Sequence, residues 1–465
     1  MMPFIHDDFL LNGETAKRLY HDIAKGLPIV DYHNHLNPQD LAQNRQFDNI
    51  AQLWIISDPY KHRAMRINGI PERLITGDAT DKEKFFAWAG TVPYTMGNPL
   101  FQWTALELKR VFNIDTLLCK ESAGEIWDQC NEKLQQEKFR AACLLKSFNT
   151  ELVCTSDDLL DDFQAHRIAT DKAYGFKVIP SLRGDSAVAF ETPGFDAWLK
   201  TLQKQTQQSI ESLDDYTNAL LKRLDILQEA GCLAADHALD NGCMIENGDK
   251  ATANRLFERV SAHETLDSAE QSVLKSFLLK ALGKEYGQRG WWMLLHIGAQ
   301  RYTSTRLRNL AGPAGGFASM GRACGIDDLC MFLDAMEKEK SLPRTILFNL
   351  NPIDNAAFAT LTGSFAQDGV AGKIQFGPPW WYNDHRHGIE EQLNALSSYG
   401  LLAHFIGMTT DSRSILSFSR HEYFRRILCN QLGGWIDAGE IPRDFPWLQE
   451  IVKKICYLNA KHAMS

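Results

Sequence analysis

The stretch Pro28-Ile29-Val30-Asp31-Tyr32-His33-Asn34-His35 decides how this chain is read. It opens as a short apolar, β-branched run, the pattern of a strand buried on both faces. It closes on two histidines spaced i, i+2. Such residues point to the same side of a strand, so both imidazoles can reach one metal ion. Two ordinary histidines at a strand end are the plain alternative. What favours chemistry is position, if this strand belongs to a barrel whose C-terminal mouth carries the active site.

Seven more such runs follow: ELVCTSDD (151–158), FKVIPSLRGD (176–185), CLAADHAL (232–239), WMLLHIG (292–298), RTILFNLN (344–351), GKIQFGPPWW (372–381) and LAHFIGMTTDSRS (402–414). Helical patterns lie between them. In 213–230, Leu213, Tyr216, Leu220, Leu224 and Leu227 share one face and Gly231 stands where the helix should end. In 386–398, Ile389, Leu393 and Leu396 form an apolar stripe, with Gly400 just beyond. Eight strands alternating with helices predict an α/β fold, a (β/α)8 TIM-like barrel. The segment 36–150 breaks the alternation. It is rich in Trp and Leu and reads as a large helical insertion after the first strand, over the active-site mouth. The expected organisation is an N-terminal segment with the first strand (1–35), the insertion (36–150) and the remainder of the barrel (151–465).

The 465 residues are 44% hydrophobic, enough to bury a large core. Basic residues number 49 against 58 acidic, a formal net charge of -9. That argues against a nucleic-acid partner. A small anionic ligand stays open, because a local arginine pocket can outvote a mildly acidic surface. Ten cysteines lie between Cys119 and Cys456 without a CxxC pair, and read as buried thiols of a reducing compartment. The opening MMPFIHDDFLLNGETAKRLY has acids where a signal peptide has a basic stretch. The most apolar windows, such as Trp291 to Ile297, are too short to cross a bilayer. The expectation is a cytoplasmic protein with no membrane partner. Subunit count stays open, a homo-oligomer included.

Further chemistry gathers at the strand ends. His296 ends WMLLHIG and Asp411 lies in Thr410-Asp411-Ser412-Arg413 at the end of the last run. Each alone has a bland reading, a core histidine and a helix N-cap. Together with His33 and His35 they put four ligands or bases at three strand ends. Asp236-His237 end another strand, as ligands, as supports for ligands or as packing. Arg183 could clamp a carboxylate through its planar fork or pair with Asp185. Trp380 and Trp381 follow Gly377-Pro378-Pro379. Adjacent tryptophans on a strand point opposite ways, so at most one faces the mouth, as a platform for a sugar's apolar face, with core packing the plain alternative. Tyr60 sits in DPYKHRAMR (58–66), where flanking cations would lower its pKa and make it a proton donor. A solvated basic face is the alternative.

Taken together these residues resemble the uronate isomerases, a divergent branch of the amidohydrolase superfamily. The resemblance covers nearly the whole chain. It rests on DYHNHL (31–36), YKHRAMRINGIPERLITGDA (60–79), VPYTMGNPLFQWTALELKRVF (92–112), HIGAQR (296–301), QFGPPWWYND (375–384) and TTDSRS (409–414). The long motifs of the insertion are far more specific than the HxH. The resemblance implies a divalent metal, zinc being the expected ion, held by His33, His35 and Asp411 with His296 near it. It places Tyr60, Arg183, Arg413 and a tryptophan of the 380–381 pair around the substrate. Hydrolases of the superfamily commonly add a lysine or glutamate on the fourth strand that bridges two metals. CLAADHAL has neither, which fits a mononuclear isomerase. His62 stands where the family motif carries an aromatic such as Trp.

The implied reaction is aldose–ketose isomerisation of a free hexuronate through a cis-enediol, D-glucuronate to D-fructuronate and D-galacturonate to D-tagaturonate. Asp411, oriented by Arg413, is the expected base, Tyr60 the expected acid, and Arg183 the clamp for the C6 carboxylate. Two rivals are a mononuclear metal-dependent hydrolase, with Asp411 activating water, and a sugar-acid-binding barrel without turnover.

Overall fold

The computed structural model describes residues 3–172, 174–240, 246 and 248–465. Seven of the eight apolar runs form one sheet: β1 (Ile29–Asn34), β2 (Thr150–Asp158), β3 (Lys177–Arg183), β4 (Ala234–Leu239), β5 (Trp292–Ile297), β6 (Thr345–Asn349) and β7 (Ile374–Phe376). They are hydrogen-bonded in that order and every pairing is parallel. β1, β5, β6 and β7 are buried at every position. Strands of that kind need cover on both faces, which parallel pairing with helical crossovers supplies. All seven C-terminal ends open on the same side of the sheet.

The eighth run corrects the expectation of a regular strand. Residues 402–404 form a 3-10 turn and 405–412 form no strand. Side chains replace the ladder. Thr409 Oγ1 accepts from His33 N at 2.9 Å and donates to His33 O at 2.7 Å. Asp31 Oδ2 accepts from Thr410 N at 2.9 Å. Backbone pairing with β1 returns only at Asp411 N to His33 O, 3.1 Å, and His35 N to Ser412 O, 2.9 Å. On the other side, Gln375 Oε1 of β7 accepts from Ile406 N at 3.1 Å. The segment therefore bridges β7 and β1 and closes the curled sheet into a barrel.

The helices follow their apolar stripes. Leu213–Glu229 buries Leu213, Tyr216, Leu220, Leu224 and Leu227, and Gly231 takes a left-handed φ of 88° just past its end. Arg386–Tyr399 buries Ile389, Leu393 and Leu396. Each such side chain contributes about 1.5–3 kcal/mol by leaving water.

Every regular element between β1 and β2 is a helix. These helices start on local signals: Asp58 accepts from Tyr60 N and Lys61 N ahead of Pro59–Ile67, and Asn98 accepts from Leu100 N ahead of Pro99–Phe112. In both, proline follows the cap, where its missing N–H costs nothing. Trp54, Trp88 and Trp103 form the buried interior of this unit. No helix among the described residues is long and apolar enough to cross a membrane, and the nine cysteines among them are all free thiols.

Asp31 carries this closure. It is fully buried and also accepts from Asn34 Nδ2 at 3.0 Å and pairs with His421 Nε2 at 2.9 Å. Asp31→Asn turns an N–H₂ toward groups that need an acceptor. It should lower stability by about 2–3 kcal/mol. Thermal unfolding is the measurement, and an unchanged midpoint would refute the role.

Candidate active site

β1 and the closing segment bring two histidines and a carboxylate to one point. His33 Nε2 lies 3.4 Å and His35 Nε2 3.0 Å from Asp411 Oδ1. Two ligands of a tetrahedral zinc are about 3.3 Å apart when its bonds are about 2.0–2.1 Å. Two imidazoles and one carboxylate are also the donor types zinc takes. The residues therefore fit a divalent ion. A second group shares His33: His33, Asp236 and His296 offer donor atoms within 4.8 Å of one another. His33 Nδ1 and His296 Nε2 are buried without a hydrogen-bond partner.

Asp411 adopts a left-handed φ of 45°, uncommon for any residue but glycine. The turn sends its carboxylate back toward β1. Burial alone would raise the Asp411 carboxyl, but hydrogen bonds with His33 and His35 reverse this and hold it well below the usual carboxylate range. Burial also opposes charge on both histidines. At His33, Asp236 and Asp411 outweigh it and raise the pKa; at His35, burial prevails and lowers it.

The two tryptophans correct the expectation that one at most faces the mouth. Strand β7 stops at Phe376, and Gly377-Pro378-Pro379 carries the chain out of the sheet, so alternation no longer applies. Both line the cavity, with ring centroids 4.8 Å apart. Trp380 Nε1 donates to Asp411 Oδ2 at 2.8 Å, so this indole orients the carboxylate. His296 stacks on Phe348 at 4.5 Å and lies 4.8 Å from His33. Burial, then the charge of His33, pushes its pKa well down, so its ring is neutral.

The pairing of Arg183 with Asp236 across β3 and β4 sets the next layer. Arg183 keeps a loose contact with Asp185 at 3.4 Å and remains 41% exposed, into the cavity. Burial works against its charge, but Asp185 and Asp236 outweigh it and raise its pKa. Arg413 lines the same cavity, its pKa lowered by burial and by Arg183. Asp236 lies 3.9 Å from His33 Nδ1. His237 turns its Nε2 to Tyr286, 2.9 Å away.

Tyr60 reaches the cavity from the insertion, at the start of helix Pro59–Ile67. The expectation of a lowered pKa is overturned. Burial comes first and the charge of Asp384 second, and together they raise it well above the usual phenol range. Lys61 spends its charge on Asp58, and Arg63 and Arg66 reach the backbone oxygens of Ala318 and Gly315. Tyr60 Oη donates to Asp384 Oδ2 at 2.7 Å. The cavity these groups line measures about 1400 Å³.

The family model described as Glucuronate isomerase matches residues 1–464. The chain belongs to the uronate isomerase family. A uronate isomerase of Bacillus licheniformis is 45% identical over 462 residues, 99% of this chain and 98% of that one. One of Caldicellulosiruptor bescii is 46% identical, with 99% of each chain covered. The crystal structure of the uronate isomerase from Thermotoga maritima superposes with a TM-score of 0.93 at 32% identity, over 99% of this chain and 100% of that one. The glucuronate isomerase structure from Caulobacter crescentus shares the fold, with a TM-score of 0.91 at 22% identity over 99% and 97% of the two chains.

Within this uronate isomerase chain, His62 fills the slot where an aromatic was expected. Burial lowers its pKa to about 4, and its Nε2 meets Ile55 O at 3.0 Å, so it packs as a neutral ring. Three residues escaped the sequence reading. Arg301 lies over Trp381 at 4.8 Å, Asp384 holds Tyr60, and Arg420 stacks on Trp103 at 3.9 Å. Arg301 ends the motif HIGAQR and Asp384 ends QFGPPWWYND; Arg420 had no signal beyond its basic character.

The two overlapping donor groups make different predictions. If His33, His35 and Asp411 hold the ion, His35→Ala abolishes bound zinc after dialysis, while His296→Ala keeps most of it. Metal analysis by mass spectrometry reads this, and the reverse pattern would assign the ion to His33, Asp236 and His296.

Proposed function

We propose that this site interconverts the aldose and ketose forms of free hexuronates, D-glucuronate with D-fructuronate and D-galacturonate with D-tagaturonate. The observation that carries the reading is one cavity, in a chain of this family, lined by a carboxylate (Asp411), a phenol (Tyr60) and two guanidiniums (Arg183, Arg413). The enzyme is read as cytoplasmic, serving sugar-acid catabolism. A hydrolytic reading has no observation in its favour.

The reaction moves hydrogen between C2 and C1 and between the two oxygens they carry. Arg183 clamps the C6 carboxylate, and its fork fixes which end of the sugar reaches the base. The tryptophans cover the apolar face of the chain. Asp411 is the base candidate for the C2 proton. Its two oxygens are divided: Oδ1 faces the imidazoles, while Oδ2 takes the Trp380 hydrogen bond and keeps a further lone pair. Tyr60 is the hydroxyl that exchanges protons with the sugar oxygens. Neutral His296 flanks His33 and adds no competing charge. A divalent ion, zinc in this reading, held by His33, His35 and Asp411 would stabilise negative charge on the enediolate oxygens.

Ketose formation from D-glucuronate and D-galacturonate by the zinc-loaded enzyme is the first test; no turnover of either would overturn the proposal. Asp411→Asn keeps shape but removes basicity. Turnover should fall roughly 10²–10⁴-fold, the usual worth of a positioned base. Metal content is recorded on the same sample: normal turnover with normal metal rejects Asp411 as the base, and loss of both leaves it a ligand. Arg183→Lys keeps the charge and loses the fork. KM should rise roughly 10–100-fold, the loss of one charged hydrogen bond, with little change in unfolding temperature. Equal loss of stability and activity would make Arg183 a structural partner of Asp185.

A further inference from the structure

Behind Tyr60 lies a carboxylate that the proposed chemistry has not used. Asp384 is 6% exposed, and its Oδ2 accepts the Tyr60 hydroxyl at 2.7 Å. Its other oxygen, Oδ1, is buried with no hydrogen-bond partner. The guanidinium of Arg420 faces it at 3.7 Å, beyond hydrogen-bond range, and is itself 2% exposed between Trp103 and the Tyr60 ring. The other groups around Asp384 are Tyr423 on the same helix as Arg420, Tyr382 on its own segment, and Asp411 across the cavity. A buried carboxylate with one idle oxygen and only a distant cation is unusual for a purely structural partner.

The direction of the hydrogen bond matters. The Tyr60 hydroxyl donates its hydrogen bond to Asp384, so its oxygen lone pair is left to accept from a ligand. Acting alone, Tyr60 would have to become a phenolate or a protonated phenol, and its buried surroundings oppose charge. A second proton site behind it removes that obstacle.

Resting on the isomerase reading, we infer that Asp384 is the proton store of a two-step relay, Tyr60 being the carrier between it and the sugar oxygens. When a sugar hydroxyl loses its proton, Tyr60 Oη takes it while the original Tyr60 proton passes to Asp384 Oδ2. Two O–H bonds break and two form, and Tyr60 stays neutral. The reverse transfer returns a proton to the neighbouring oxygen, so over one turnover the store is refilled and emptied. Burial, opposed by Arg420, raises the Asp384 carboxyl to about 6, close enough to neutrality to be ionised in one half of the cycle and protonated in the other. Asp384 acts through Tyr60 and is a positioning and relay residue, not one that touches substrate.

The test is Asp384→Asn in the zinc-loaded enzyme, with D-glucuronate as substrate. Asparagine still accepts the Tyr60 hydrogen bond but holds no exchangeable acid proton. The relay predicts a fall in kcat of roughly 10²-fold or more, with KM within a few fold of the parent and unchanged metal content. It also predicts that Tyr60→Phe and the double variant lose no more than the single variant, because the two residues form one path. A kcat within a few fold of the parent, or multiplicative losses in the double variant, would overturn the relay while leaving the isomerase reading intact. No turnover by the unsubstituted enzyme would overturn both. Should Asp384→Asn not fold, the unsubstituted enzyme decides through kcat in mixtures of light and heavy water. A bowed dependence on deuterium fraction reports two protons in flight, and a straight line overturns the relay.

Discussion

A single buried carboxylate, Asp31, holds the two ends of this barrel together. Its partners are Asn34 on its own strand, Thr409 Oγ1 and Thr410 N of the closing segment and His421 on the helix that follows. Thr410 is 379 positions away along the chain. No regular strand does this work. A ladder would hold the last segment in strict alternation, and Asp411 would point where the pleat sent it. With side chains carrying the closure, the backbone is free to turn left-handed at Asp411, and the carboxylate reaches both His33 and His35. Closing the fold and assembling the candidate metal site are thus one event.

Charge in the cavity follows a similar economy. The chain is acidic overall, at -9, yet Arg183, Arg301 and Arg413 line the mouth. Arg183 meets Asp185 and Arg301 meets Asp240, each in contact with a carboxylate that is itself partly exposed. Among the described ion pairs Arg413 has none, and Arg183 already lowers its pKa. An anionic ligand relieves that repulsion between the two guanidiniums as it binds. The Arg183–Arg413 pair is thus a locally positive corner of a cavity whose lining is otherwise mixed in charge.

How much of this was legible varied with the physics behind each residue. The strands and helices were readable because burial imposes a period, as Leu213 to Leu227 did on one helix face. His33 and His35 were readable because they close a strand: His33 lies on β1, and His35, one residue past its end, keeps the pairing through its backbone bond to Ser412 O. The eighth strand misled because Phe405 to Met408 is apolar like the others, while its hydrogen bonds go to Thr409, Asp31 and Gln375 side chains, which no periodicity encodes. The tryptophan pair misled because Gly377-Pro378-Pro379 ends the strand before alternation could apply. Tyr60 misled for a related reason. Its neighbouring cations were counted by sequence distance, but Lys61, Arg63 and Arg66 point elsewhere, and its pKa follows burial first and then Asp384, 324 positions on. The family resemblance singled out Tyr60, which lines the cavity, because a motif records the outcome of contacts that local sequence cannot compute.

The barrel supplies the histidines and Asp411, whereas the insertion supplies Tyr60, so the spacing of the Asp411 carboxylate and the Tyr60 hydroxyl depends on how the two units are joined. Three consecutive residues of the helix Ser419–Asp437 make that joint. Arg420 reaches Asp384, the Tyr60 ring and Trp103. His421 completes the Asp31 closure. Glu422 takes both Nε and Nη2 of Arg110, on the insertion helix Pro99–Phe112, at 2.8 Å. Successive side chains on a helix diverge by about 100°, so one rod can hold the two units through contacts in three directions. Any slide or rotation of this rod would move the insertion, the closing segment and the Asp384 pocket together. The hydroxyl and the carboxylate are therefore kept in register by a helix whose described contacts include none of the candidate metal ligands, and a fixed register is what a reaction moving protons between adjacent atoms requires.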